Sequence, residues 1–128
     1  MLALDYGSAR TGVAVSDATG TLARPLTVVE RAADETGLRR VAELVVEEGA
    51  ERVVVGLPLT LRGEHGAQAA ETAAFVDALR AVVPVPVESF DERFTTSLAA
   101  AAPSDRAPED ARAAAHLLES YLAWTTRS

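Results

Sequence analysis

Three acidic positions hold most of the chemistry available to this sequence. Asp5 follows the apolar run Leu2-Ala3-Leu4, and Asp91 and Glu92 follow Val85-Pro86-Val87-Glu88-Ser89-Phe90. Both runs read as short strands, so these acids stand at strand ends, beyond which open α/β sheets bind their ligands. An acid in such a place can equally cap a turn, and spacing alone does not choose between Asp91 and Glu92. The third position rests on periodicity. Asp110 shares a helical face with Ala113, Ala114, Leu117 and Tyr121, at spacings of three, four, seven and eleven. That face is the core stripe of the last helix, whereas Glu109 points away from it. An acid on a core stripe needs a partner, because burying it alone costs several kcal/mol. The competing reading is an ordinary helix-start acid, for which Pro108 and the helix dipole are both suitable.

Three converging carboxylates make an oxygen-ligand site for a divalent cation. Mg²⁺ and Mn²⁺ suit carboxylate and water, whereas Zn²⁺ would call for His and Cys. The chain has two histidines and no cysteine, which also removes disulfides and thiol nucleophiles. Two such ions can hold the attacking water and the leaving oxygen of a phosphodiester.

Charge at first argues the other way. Nineteen acids against twelve bases give a net charge of −7, which repels nucleic acid at long range. Bound metal would offset that charge locally, so the global balance is a poor guide to the partner. All the bases are arginine; without a lysine, a P-loop nucleotide hydrolase is excluded. No apolar run approaches the roughly 20 residues of a membrane helix. The opening segment reaches an acid at Asp5, too early for a signal peptide, and a cytoplasmic location is expected.

The elements that must position these acids follow from period and punctuation. Residues 1–6, 11–16 and 21–29 are β-prone and separated at hairpin spacing, with Pro25 marking the third as an edge strand. A helix is expected over 34–48, with Leu38, Val41, Ala42 and Val45 as its stripe and Gly49 as its stop. Residues 52–55 read as a buried parallel strand. A loop over 56–63 leads to a helix ending near 83, with Thr72, Phe75, Val76, Leu79 and Val83 inward. A strand over 85–90 and a helix over 109–124 complete the order. The 128 residues therefore read as one α/β domain, a mixed sheet with helices on both faces.

Four ordered segments resemble one family. Asp5-Tyr6-Gly7-Ser8-Ala9-Arg10-Thr11-Gly12-Val13-Ala14-Val15-Ser16-Asp17 looks like the opening of the YqgF family, RNase H-like proteins described as Holliday-junction resolvases and as pre-16S rRNA nucleases. Val54-Val55-Gly56-Leu57-Pro58-Leu59, Asp91-Glu92-Arg93-Phe94-Thr95-Thr96, and Asp110 with Leu117-Leu118-Glu119-Ser120-Tyr121-Leu122 agree in order. The resemblance implies a five-stranded RNase H-like sheet spanning residues 1–128 and a nuclease using Mg²⁺ or Mn²⁺, two ions in all. It matches the site acids to Asp5, Glu92 and Asp110, choosing Glu92 over its neighbour. The chain departs from the pattern between Thr96 and Asp110, which is short and base-poor. Thr60 and Arg62 also stand where the family more often has Asn and an acid.

Arg10 and Arg93 flank the acids and suit phosphate, as does Arg62 on its Gly-bounded loop. Gly7 and Gly12 are expected to serve the first hairpin, and Gly7 also to let backbone approach a phosphate. His65 reads as a loop residue and His116 as surface. Phe75, Phe90, Phe94 and Tyr121 read as core. Three functions are weighed: a nuclease on structured RNA or branched DNA, a non-catalytic module binding RNA or the transcription machinery, and an actin-like ATPase. The last needs two lobes, and 128 residues make one. A monomer or homodimer fits the nuclease reading; cutting a junction would require two sites across a dyad.

Overall fold

The structure, a computed structural model, describes residues 1–7, 9–16, 22–57, 67–91 and 109–126. Strands β1 (Leu2–Asp5), β2 (Arg10–Ser16) and β3 (Ala23–Glu30) come first. Then follow α1 (Glu35–Glu47), β4 (Val53–Leu57), α2 (Ala67–Val82), β5 (Val87–Asp91) and α3 (Glu109–Thr126). The sheet order is β3-β2-β1-β4-β5. The β1–β2 and β2–β3 pairs are antiparallel, and β1–β4 and β4–β5 are parallel. This is the expected mixed sheet, with one refinement: β1 and β5 run parallel but β4 stands between them.

Local chemistry explains where the elements begin and stop. Pro25 does lie on an edge strand, opposite Ala14, where the β2–β3 register shifts. β5 starts at Val87 rather than Val85, because Pro84 and Pro86 have no N–H to give the ladder. α1 ends in a Schellman motif. Gly49 takes φ +63°, its N–H donates to the Val46 carbonyl at 3.1 Å, and the Ala50 N–H donates to Val45 at 2.9 Å.

Strand alternation divides the core in two. Leu2, Leu4, Val13, Val15, Val53 and Val55 face α1 and α2, meeting Val41, Val45, Phe75 and Leu79. Ala3, Ala14, Val54 and Phe90 face α3, meeting Ala114, Ala115, Leu117, Leu118 and Tyr121. The second face is lined with alanines on both sides, so α3 can lie close over β1, β2 and β3. The buried stripe of α3 also includes Ala111, while Ala113 is only partly buried. His116 departs from expectation: its Nδ1 is buried and has no hydrogen-bond partner among the described residues, although the position lies away from the centre of the stripe.

Two buried tyrosines tie helices to the sheet. Tyr6 stacks on Phe75 with ring centroids 4.4 Å apart and donates to Glu71 Oε1 at 3.3 Å. Tyr121 meets Phe90 edge-on, donates to Glu88 Oε2 at 2.5 Å and accepts from Arg52 Nη1 at 3.1 Å. Burial raises both phenol pKa values above the ordinary 10.0, and the Glu71 and Glu88 carboxylates raise them further; Arg52 opposes this at Tyr121. The folded state therefore holds these protons more tightly than the unfolded chain. Its contribution is complete below pH 10 and is lost as pH rises through the higher folded values. Urea unfolding should show stability falling above about pH 10, and Tyr6→Phe and Tyr121→Phe should each flatten that fall. Identical alkaline profiles for wild type and both variants would contradict this assignment.

Candidate active site

Parallel pairing brings the carboxyl ends of β1, β4 and β5 to one edge, at Asp5, Leu57 and Asp91. The antiparallel strands add the start of β2, Arg10, and the end of β3, Glu30, which pair with each other. Along this edge, neighbouring strands are about 4.8 Å apart.

The pleat then sorts these residues by face. Asp5 follows Leu4, which faces α1 and α2, so Asp5 belongs to the α3 face. Arg10 alternates with Thr11 and falls on the face of Gly12 and Ala14, again that of α3. Asp91 alternates with Phe90 and therefore belongs to the opposite face. Asp5 is half-buried and Arg10 is exposed. Asp5 and Arg10 therefore share one edge and one face, and Asp91 does not join them.

The neighbours of Asp5 on both adjacent strands are glycines. Gly12 is its partner on β2. The β1–β4 register, Leu4 opposite Val55, continues to Gly56 beside Asp5 on the other side. Neither contributes a side chain next to the carboxylate. Gly12 therefore serves the β1–β2 hairpin from within β2, directly opposite Asp5. Gly7 is in the β1–β2 connection, where a Cβ would run into the Arg10 carbonyl oxygen. Its N–H donates to Thr11 Oγ1 at 3.4 Å, and that hydroxyl donates to the Gly7 carbonyl at 3.3 Å. Thr11 is fully buried, a role the sequence signalled only through its place in an apolar strand. The Arg31 N–H donates to the Ala9 carbonyl at 3.0 Å, holding the same connection from β3.

Asp110 is the second residue of α3, the helix that covers this face. Glu92, Arg62, Arg93, His65 and Phe94 lie outside the described residues, as does the Asp110 side chain. Among the described residues no group of three His, Cys, Asp or Glu stands together to hold a metal. Of the three acids proposed from the sequence, only the Asp5 side chain falls within the description. Its chemistry, a half-buried carboxylate at a sheet edge, is that of a hard-cation ligand.

The profile of the family described as "RuvX: Holliday junction resolvase" matches residues 1–124. A Chloroflexus aggregans protein named "Putative pre-16S rRNA nuclease" is 54% identical over 96 residues, covering 75% of this chain and 68% of its own length. A Chloroflexus aurantiacus protein of the same name is 49% identical over 96 residues, and the match spans 63% of its length. A Rhodococcus jostii protein, also so named, is 41% identical over 140 residues, covering 99% of this chain and 79% of its own. The fold is that of Thermus thermophilus RuvC, with a TM-score of 0.63 at 19% identity, covering 99% of this chain and 96% of that one. RuvC from the same organism in complex with a Holliday junction substrate superposes with a TM-score of 0.64 at 17% identity, covering 99% and 95%. The RNase H-like sheet expected from the sequence is thus the sheet observed.

The tight β1–β2 connection makes Gly7 sensitive. Gly7→Ala should destabilise the protein by about 1–3 kcal/mol in urea unfolding, the range for forcing an added methyl into a packed site. Unchanged stability would mean that the Arg10 carbonyl does not restrict this position.

Proposed function

The chain belongs to the RuvX Holliday junction resolvase family, and from that premise we propose that it is a metal-dependent nuclease cutting structured nucleic acid, with pre-16S rRNA 5′-end processing as its task. The observation that carries this reading is Asp5: a half-buried carboxylate on the α3 face of the sheet's carboxyl edge, with Gly12 opposite it. The names of the relatives favour rRNA as the substrate, while the family description speaks for a DNA junction. The whole chain, residues 1–128, is read as one nuclease domain acting in the cytoplasm. No helix among the described residues is long and apolar enough to cross a membrane.

Asp5, Glu92 and Asp110 are the residues that would hold Mg²⁺ or Mn²⁺, in two sites by this reading. Such ions supply charge stabilisation on the phosphate and a more acidic water. Asp5 enters from β1. The helix bearing Asp110 is anchored by Tyr121, through Glu88 and Arg52, at the amino ends of β5 and β4. Asp110 is eleven residues earlier, about 16 Å along the axis at 1.5 Å per residue, which suits a position toward the carboxyl edge. Asp91 falls on the opposite face from Asp5, which favours Glu92 as the third acid. Arg10, on the Asp5 face, is suited to hold a phosphate oxygen through its guanidinium, and Arg93 and Arg62 are proposed to do the same. Gly7 keeps the adjoining backbone free of a side chain. Cutting RNA requires one such site, so a monomer suffices; a junction would require a homodimer with two sites across a dyad.

Labelled pre-16S rRNA and a four-way DNA junction should be incubated side by side with Mg²⁺ or Mn²⁺. Wild type should cut the RNA. Asp5→Asn, Glu92→Gln and Asp110→Asn should each lose orders of magnitude in rate with unchanged circular dichroism, and Asp91→Asn should stay active. Mn²⁺ should raise the Tm of wild type and that of Asp5→Asn much less, because only the folded state assembles the ligands. Full cleavage by Asp5→Asn, or cleavage without metal, would overturn the reading. Cleavage of the junction alone would move the substrate to DNA.

A further inference from the structure

The carboxyl edge of the sheet extends beyond the residues discussed so far. β3 ends at Glu30, the partner of Arg10, and Arg31 follows it directly. Arg31 therefore stands at the same edge as Asp5, two strand spacings from β1, or about 10 Å. Three observations set this residue apart.

Its backbone is in the left-handed region, φ +48°, and no other non-glycine residue among those described has a positive φ. A bulky side chain is disfavoured there, and glycine would adopt the conformation without strain. The conformation is enforced from both sides. The Arg31 N–H donates to the Ala9 carbonyl at 3.0 Å, and its own carbonyl accepts from the Asp34 N–H at 2.9 Å. Beneath the turn, a Cβ on Gly37 would run into the Arg31 carbonyl and come within 2.5 Å of Ala32 Cα.

Among the described residues, its charge is not used in an ion pair. Arg24, Arg39, Arg40, Arg52 and Arg80 each lie within 4 Å of a carboxylate, at 3.5, 3.5, 3.1, 3.6 and 3.4 Å. Arg31 makes no ion pair among the described residues and is exposed. It also precedes α1, whose amino end favours negative rather than positive charge.

An exposed cation with no ion-pair partner among the described residues thus stands on a strained, hydrogen-bonded backbone at the edge that carries Asp5 and Arg10. We propose that Arg31 contacts a backbone phosphate of the nucleic acid strand bound at this edge, extending the track that begins at Arg10; this rests on the nuclease reading above. The contact is to phosphate and carries no base preference, so RNA and DNA probes should report it alike. Arg31 acts in binding, not in bond cleavage.

The test is Arg31→Gly, for which stability and binding should move in different directions. Its Tm should be equal to or higher than that of wild type, because glycine relieves the left-handed backbone. Its affinity for a labelled pre-16S rRNA fragment and for a four-way DNA junction, measured with Ca²⁺ in place of Mg²⁺, should fall several-fold. The slope of log K against log salt should become shallower by about 0.7–0.9, the value of one phosphate contact. In cleavage assays KM should rise with kcat little changed. Arg24→Gln, an equal loss of charge at the far end of β3, should leave affinity and slope as in wild type.

Equal affinity and slope for wild type and Arg31→Gly would overturn the proposal and leave the nuclease reading standing. Equal weakening by Arg24→Gln would also overturn it, since the effect would then be one of overall charge. If wild type binds neither probe, the nuclease reading fails and this inference fails with it.

Discussion

The parallel pairing of β1 with β4 is the constraint on which the rest of the molecule depends. β1 is the middle strand, antiparallel to β2 and parallel to β4. That arrangement gathers three strand carboxyl ends, the start of β2 and the end of β3 at one edge. The β1–β2 hairpin sets Arg10 near Asp5, and the β1–β4 pairing adds the ends of β4 and β5 to the same edge. The pairing stands on a run of residues buried on both faces, Leu2, Ala3 and Leu4 against Val53, Val54 and Val55, none of them exposed. Such a strand cannot shift by one residue without putting leucine where the helix requires alanine.

The two faces do different work because their residues differ in size. The leucines, valines and Phe75 under α1 and α2 supply most of the apolar burial. Across the sheet, Ala3 and Ala14 meet Ala114 and Ala115, which lets α3 approach closely and holds it through surface contact rather than bulk. A helix seated on alanines has few large side chains to fix its position along the sheet. Tyr121 meets that need, with Phe90 against its ring and Glu88 and Arg52 at its hydroxyl. A polar anchor at one end of α3 thereby governs where its first turn lies.

Much of this was legible in the sequence because the signals are local. Helix stripes appear at period 3.6 and strands as short valine runs; Gly49 tolerates the left-handed backbone of a helix end, and Pro25 has a fixed φ and no N–H to donate. The element order and the mixed sheet follow from these. What could not be read needs register between distant segments. That Asp91 stands on the face opposite Asp5 becomes visible only once Leu57 is seen opposite it and Phe90 on the α3 face. Gly12 reads as part of the first hairpin, and only the register reveals that Asp5 is its partner. The left-handed conformation of Arg31 left no trace in the sequence, since the residue there is not the glycine that such a backbone favours.

Register also answers the question raised by the acidic composition. α1 spans 13 residues, about 20 Å at 1.5 Å per residue, and starts just after the edge that bears Arg10 and Arg31. Its later acids, Glu43 and Glu47, are engaged by Arg40, and Glu48 by Arg24. Glu51 follows at the amino end of β4, and Glu88 pairs with Arg52 near the amino end of β5. Charges separated by more than about 8–10 Å of solvent are largely screened at physiological salt. A strand approaching the carboxyl edge therefore meets the charges within that range, not the sum over the chain. Glu43, Glu47, Glu48 and Glu88, engaged by arginines toward the other end of the sheet, are the acids such a strand feels least, whereas Asp5, Glu30, Asp34 and Asp91 stand at the edge itself.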